Sequence, residues 1–145
     1  MTYFLDSSAL VKRYLSEPGS DLVRALFRKR SRRLAVSRIA YAEVVAAVAR
    51  AWRERLVDDV ARDKILDRIE KDFGTLEVIE VRRMIIERIP TLVLRQPLRA
   101  YDAVQLASAL TLKERGGSVD FWGDDGRLIT AARKEGLRAT LVGTG

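Results

Sequence analysis

Cysteine and histidine are both missing from this 145-residue sequence. Without cysteine, the chain has no disulfide, no thiolate nucleophile and no thiolate metal ligand. Without histidine, it has no Ser-His-Asp triad, no imidazole-bound metal and no imidazole for acid–base chemistry. An enzymatic activity near neutral pH would therefore depend on carboxylates, Lys, Arg, Ser, Thr or Tyr. Carboxylates without histidine favour hard, oxygen-ligated ions such as Mg²⁺ or Mn²⁺.

Long apolar runs are also missing, since none approaches the roughly 20 residues of a membrane-spanning helix. The first six residues (MTYFLD) lack the basic region and the apolar stretch of a signal peptide, and they resemble the start of a strand. We therefore expect a cytoplasmic protein. The length, with 48% apolar and 32% charged residues, predicts one globular domain.

Acidic residues are outnumbered, because 27 Lys and Arg face 20 Asp and Glu, which gives a net charge of +7. Most of the basic residues are Arg, which binds phosphate through two parallel hydrogen bonds. This excess favours a polyanionic partner, either nucleic acid or an acidic protein, although a generally Arg-rich proteome would also produce it. Residues 28–33 (RKRSRR) are the densest basic run, and they either bind such a partner or form a solvated helix end.

Strand-like and helix-like segments alternate along the chain. The predicted strands are residues 2–5, 34–37, 76–81, 119–122 and 137–142. The predicted helices are residues 8–15, 21–30, 39–55, 59–73, 82–94 (interrupted by Pro90), 100–115 and 127–135. This alternation predicts an α/β fold, with three α/β/α layers around a central, mostly parallel sheet. Functional sites in such sheets form beyond the carboxyl ends of the strands.

Two acids stand out in the first third of the chain. Asp6 ends the first strand, where it could line a site or cap the helix that follows. Glu43 lies in helix 39–55 with apolar residues three and four positions away on both sides, so its carboxylate is predicted on a buried face. A buried carboxylate needs a cation, a hydrogen-bond donor or an ion pair to one of the many arginines.

The other candidate acids lie near the carboxyl end. Asp102 begins helix 100–115, where it could line a site or complement the helix dipole. Asp124 and Asp125 follow strand 119–122, and we expect one of them to cap the next helix and the other to point into a site. If the fold brings all these acids to one edge of the sheet, their mutual repulsion requires cations such as Mg²⁺ or Mn²⁺. Divalent ions held by acids suit hydrolysis of a phosphodiester.

Four segments carry these acids. They are 4–12 (FLDSSALVK), 37–44 (SRIAYAEV), 98–109 (LRAYDAVQLASA) and 121–128 (FWGDDGRL). In their order and spacing they resemble the motifs of PIN-domain nucleases, specifically the VapC-type toxins of toxin–antitoxin pairs, and the third segment is the most specific. The resemblance extends over residues 1–142.

The resemblance implies a single PIN domain over residues 1–145 and a Mg²⁺-dependent endoribonuclease, with Mn²⁺ as a substitute. It implies catalytic and metal-binding roles for Asp6, Glu43, Asp102 and Asp125, with Ser7 and Asp124 as further candidates. The implied partners are an RNA substrate, a VapB-type antitoxin and a second copy of the chain in a homodimer, with no membrane.

The fourth segment departs from the family at one position. The family pattern of Asp, two residues and then Leu selects Asp125 over Asp124. The family often carries Ser or Thr two residues before the fourth acid, where this chain has Gly123, so a hydroxyl that could orient the acid is missing. The role of the fourth acid is therefore open, with Asp124 as the alternative.

Two other classes of α/β protein are disfavoured. A response-regulator receiver would have an acid pair after its first strand, where this chain has Asp6 followed by serines, and a dehalogenase-type phosphatase would have a second Asp where this chain has Ser8. A housekeeping or non-catalytic PIN protein, acting on RNA without an antitoxin, is compatible with the sequence.

Overall fold

A computed structural model describes residues 1–143, and a five-stranded sheet forms its centre. The strands are β1 (Thr2–Leu5), β2 (Arg33–Ser37), β3 (Glu77–Ile79), β4 (Val119–Gly123) and β5 (Arg138–Leu141). They lie in the order β3-β2-β1-β4-β5, and every neighbouring pair is parallel. The predicted parallel sheet is confirmed.

Helices connect the strands, as parallel pairing requires. They are α1 (Ser7–Leu10), α2 (Ser20–Arg28), α3 (Ile39–Arg53), α4 (Asp59–Phe73), α5 (Arg83–Ile86), α6 (Ile89–Arg95), α7 (Ala100–Glu114) and α8 (Gly126–Lys134). None of these helices is long and apolar enough to cross a membrane.

Both faces of the sheet are covered, and alternation along β1 shows why. Phe4 points into a core that contains side chains of α7 and α8, whereas Leu5 points into a second core formed with α1, α3 and α4. Successive strand residues face opposite sides of a sheet, so a continuous apolar strand builds two cores at once. This arrangement is the three-layer α/β/α architecture that the sequence predicts.

Two predicted helices are shorter than expected. The segment 8–15 forms α1, which begins at Ser7, and then a 3₁₀ turn (Val11–Arg13). The segment 82–94 divides into α5 and α6, with Pro90 in the first turn of α6, where its missing N–H costs no helical hydrogen bond.

The strand order reverses direction at β1. The chain runs from β1 outward through β2 and β3, and then returns to place β4 on the other side of β1. Leu5 at the end of β1 lies beside Trp122 in β4, so the segments that follow these two strands leave the sheet side by side. A crevice at such a reversal is the usual ligand site of an open parallel sheet.

Candidate active site

Asp6 follows β1 directly and is 4% exposed. Its Oδ1 accepts hydrogen bonds from the Ser8 hydroxyl at 2.7 Å and from the Ala9 N–H at 3.0 Å, so it caps α1. Burial raises the pKa of Asp6 to about 7, against these two hydrogen bonds, and the charges of Asp102 and Glu43 raise it further. The Asp6 carboxylate therefore caps α1 and is also repelled by the charges of two other acids.

Glu43 is half-buried on α3 and is held by two polar neighbours. Its Oε1 accepts a hydrogen bond from the Ser7 hydroxyl at 2.6 Å and from Gln105 Nε2 at 3.0 Å. Gln105 Nε2 also lies 2.8 Å from Ser7 Oγ. Over residues 1–143 the Glu43 carboxylate makes no ion pair with an arginine, so the buried salt bridge left open by the sequence does not form.

Asp102 lies in the first turn of α7 and is half-buried. Burial raises its pKa, a hydrogen bond from the Arg99 backbone lowers it, and the charges of Asp125 and Glu43 raise it. Asp6, Glu43, Asp102 and Asp125 therefore form one electrostatic group, even though they come from four separate elements.

The structure separates the two neighbouring acids after β4. Asp125 faces the other acids, and its Oδ1 also accepts a hydrogen bond from the Arg127 N–H at 2.9 Å, which caps α8. Asp124 forms an ion pair with Lys12 at 2.9 Å, and Lys12 is only 1% exposed. The expectation that one acid caps and the other faces the site is wrong, because Asp125 does both.

These side chains line a cleft of about 170 Å³ at the reversal between β1 and β4. The lining residues are Asp6, Ser7, Ser8, Glu43, Tyr101, Asp102, Gln105 and Asp125. The structure thus brings together the four predicted acids and Ser7, and it directs Asp124 elsewhere. A larger groove of about 860 Å³ lies beside Trp52 and Asp59, at the junction of α3 and α4, but it contains none of these four acids.

Gln105 is the lining residue that the sequence analysis missed. It is 2% exposed, and its Oε1 has no hydrogen-bond partner within the described part of the chain. A carboxylate can only accept, so the amide nitrogen must face Glu43 and the carbonyl oxygen is left free. The available signal was a polar residue in an apolar helical run, one turn after Asp102 on the same face.

Gly123 leaves the space that Asp6 occupies. A Cβ atom at position 123 would lie 3.1 Å from Asp6 Oδ2 and 3.2 Å from its Cγ. The absence of a side chain therefore lets the buried carboxylate pack against the backbone of β4. The Ser8 hydroxyl, which donates to Asp6 Oδ1, also accepts a hydrogen bond from the Asp124 N–H at 2.8 Å.

The carboxylate and hydroxyl oxygens that line the cleft suit a hard divalent cation. The pKa values of Asp6 and Asp102 are raised, which means that the cleft disfavours their ionised forms. A bound cation would stabilise those ionised carboxylates. Over residues 1–143, no group of three acids is already close enough to hold one ion by itself.

Comparisons with known proteins agree on one family. Residues 3–119 match the PIN domain. The chain is 37% identical to Ribonuclease VapC45 of Mycobacterium tuberculosis over 141 residues, which cover 95% of this chain and 93% of the relative.

Two solved structures share the fold. VapBC2 from Rickettsia felis, bound to a DNA fragment from its promoter, matches with a TM-score of 0.67 at 14% identity, over 97% of this chain and 98% of that one. VapC20 of Mycobacterium tuberculosis, a toxin that cleaves the sarcin-ricin loop, matches with a TM-score of 0.65 at 15% identity, over 90% of this chain and 95% of that one.

Proposed function

This chain belongs to the PIN-domain family, together with VapC ribonucleases, and from that premise we propose that it is a metal-dependent endoribonuclease and the toxin of a toxin–antitoxin pair. The arrangement of the acidic residues is the main support for this function. Four carboxylates from four separate elements line a single cleft at the reversal of the sheet, with no histidine or cysteine anywhere in the sequence. Carboxylates alone suit phosphodiester hydrolysis assisted by divalent ions.

The residues that would hold the ion are Asp6, Glu43, Asp102 and Asp125, with Mg²⁺ as the ion and Mn²⁺ as a substitute. A bound divalent ion would supply an activated water and stabilise the leaving oxygen of the broken bond. Hydrogen bonds within the chain already orient two of these carboxylates. Ser8 and the Ala9 N–H donate to Asp6, and Ser7 and Gln105 donate to Glu43. Such supporting hydrogen bonds orient ligand oxygens.

A VapB-type antitoxin is the proposed partner. VapBC2, which shares the fold, was solved bound to promoter DNA, and a toxin–antitoxin complex from Klebsiella pneumoniae shares the fold as well. An arginine or lysine of an antitoxin can neutralise the carboxylates in place of a metal, which makes inhibition at the cleft physically reasonable. We also expect the chain to form a homodimer.

Cleavage of RNA by the purified chain tests the activity. We expect cleavage with Mg²⁺, loss of cleavage in excess EDTA, and recovery when Mg²⁺ or Mn²⁺ is added back. Asp6→Asn should abolish cleavage, whereas Asp67→Asn, an exposed acid on α4, should leave it unchanged. Sequencing of the cleaved ends would identify the target.

Undiminished RNA cleavage in excess EDTA would contradict the metal dependence. Equal activity of Asp6→Asn and the unmodified chain would contradict the assignment of the cleft.

A further inference from the structure

A second, smaller pocket continues from the acid cleft. It has a volume of about 150 Å³ and shares Tyr101, Asp102 and Asp125 with the cleft. Its other lining residues include Arg99 and Arg127, which are both exposed. Positive charge thus lies directly beside the carboxylates, at the start of α7 on one side and of α8 on the other.

The two arginines differ from many others in this chain. Arg38 and Arg95, for example, form ion pairs with Glu80 and Glu135. Across residues 1–143, neither Arg99 nor Arg127 forms a salt bridge, and the side-chain hydrogen bond that Arg99 makes is to the Tyr101 hydroxyl at 3.1 Å. Both guanidinium groups are therefore available to an anionic ligand.

Tyr101 adds a flat apolar surface to the pocket. It is 41% exposed, and its hydroxyl accepts the hydrogen bond from Arg99. An exposed aromatic ring beside a guanidinium is the arrangement on which single-stranded bases stack, with the cation close to the adjoining phosphate.

RNA in the acid cleft needs cations nearby. The four carboxylates repel the phosphates of the RNA backbone, and this repulsion extends to the nucleotides on both sides of the broken bond. Residues 28–33, the densest basic run, lie too far from the cleft to offset this repulsion. They lead into β2, whose first residue, Arg33, pairs with Thr2 at the amino-terminal edge of the sheet, opposite the cleft.

We propose that Arg99, Tyr101 and Arg127 form a subsite for the nucleotide next to the cleaved bond in single-stranded RNA. The two guanidinium groups bind its phosphate, and the Tyr101 ring stacks on its base. This inference rests on the proposed ribonuclease function, and it assigns residues that bind the RNA strand without touching the reacting bond.

Steady-state cleavage of a single-stranded RNA by two double variants tests the arginines. Arg99→Ala with Arg127→Ala should raise KM at least 10-fold. The slope of log KM against log salt concentration should fall by about 0.7 for each phosphate that the variant no longer neutralises. Arg28→Ala with Arg30→Ala removes the same charge from exposed positions at the far edge, and should change KM by less than 3-fold. Equal effects of both double variants would overturn the subsite, since charge would then act only at long range.

Two substitutions at position 101 test the stacking. Tyr101→Phe keeps the ring and removes the hydroxyl, so KM should stay within 2-fold of the unmodified chain. Tyr101→Ala removes the ring and should raise KM about 10-fold or more, as loss of one stacked base does. Equal effects of the two variants would overturn the stacking.

Loss of the ribonuclease function and loss of the subsite would give different results. If the unmodified chain cleaves no RNA with Mg²⁺ or Mn²⁺, the ribonuclease function fails. If it cleaves RNA and the Arg99→Ala, Arg127→Ala variant keeps its KM and salt dependence, only the subsite fails. If that variant keeps its KM for RNA but binds an antitoxin more weakly, the arginines bind a protein and the RNA subsite is overturned.

Discussion

Individual acids in this protein combine a structural role with a place in the cleft. Asp6 caps α1 and Asp125 caps α8, and both line the same space. A cap fixes the direction of a carboxylate relative to its helix, because one oxygen is held by backbone N–H groups. The helix starts therefore aim these acids at the cleft before any ion binds.

Replacing Glu43 separates charge from hydrogen bonding. Glu43→Gln keeps an oxygen that can accept from Ser7 and Gln105 but removes a charge that raises the pKa values of Asp6 and Asp102. We expect RNA cleavage to fall at least about 100-fold, since loss of a group that only orients a metal ligand already costs roughly 10- to 100-fold. The melting temperature without metal should stay the same or rise.

Glu54→Gln, at the exposed end of the same helix, is the matched control and should change neither quantity. A clear drop in the metal-free melting temperature of Glu43→Gln would contradict this prediction, because it would mean that the charge stabilises the fold.

The raised pKa of Asp6 links stability to pH. Its pKa is about 7 in the folded chain against 3.8 for an ordinary Asp, so the folded state retains a proton that the unfolded state has lost. Without metal, this residue therefore makes the protein less stable as pH rises from about 4 to about 7. Thermal melts at pH 5 and pH 8 in EDTA should show a larger loss for the unmodified chain than for Asp6→Asn.

Added Mg²⁺ should act in the opposite direction, because the ion and the proton compete for the same carboxylate. The Mg²⁺-induced rise in melting temperature should be larger at pH 8 than at pH 6. An identical pH dependence of the unmodified chain and Asp6→Asn would contradict the contribution of this residue.

At the scale of elements, a partly buried ion pair holds α4 against the segment after α1. Asp72 in the last turn of α4 is 6% exposed and accepts from Arg13 Nε at 2.6 Å and from the Tyr14 hydroxyl at 2.6 Å. The guanidinium of Arg13 also lies over the ring of Phe27 in α2, 3.8 Å from its centroid. One arginine thus connects three segments of the layer that carries α1 and α3.

Removing the Asp72 carboxylate should therefore destabilise the folded protein. Asp72→Ala leaves Arg13 and Tyr14 without their buried partner, and we expect a loss of about 3 kcal/mol in the free energy of unfolding. Asp67→Ala, on the same helix, removes an exposed pair with Lys71 and should cost less than about 0.5 kcal/mol. Urea denaturation measures both, and similar losses for the two variants would contradict the structural role of Asp72.

At the scale of the whole molecule, a chain of positive net charge contains an acidic cleft. The net charge is +7, yet four acids meet at the carboxyl edge. The general positive field attracts RNA and an acidic partner, whereas the cleft itself attracts cations. Both attractions weaken as salt rises.

Assembly of this chain with an antitoxin can be tested by co-expression. Co-expression with the product of a neighbouring small reading frame should give a complex of defined size that no longer cleaves RNA. The inhibition should depend on a basic residue of the partner that reaches Asp6, Glu43, Asp102 and Asp125. Size measurement would also show whether the chain alone is a dimer.

If the two proteins do not co-purify, and growth is unaffected when this chain is expressed alone, the toxin function is wrong. A housekeeping PIN nuclease, which acts on RNA without an antitoxin, would then be the better account.

The sequence by itself determined the class of fold and the family. Apolar strands alternate with amphipathic helices, and this periodicity follows from local backbone geometry, so it predicts the parallel α/β/α arrangement without knowledge of contacts. The motifs around Asp6, Glu43 and Asp102 were sufficient to indicate the PIN domain, because their order and spacing are read directly from the chain.

Only the tertiary structure decided which neighbouring groups share the cleft. Asp124 and Asp125 are adjacent and chemically identical, and the choice between them depends on Lys12, which lies far away in sequence and pairs with Asp124. Gln105 joined the cleft because its helix packs beside Ser7 and Glu43. Arg99 and Arg127 lie beside it, whereas the basic run at 28–33 lies at the opposite edge. Such placements depend on contacts between distant segments, and local periodicity carries no information about them.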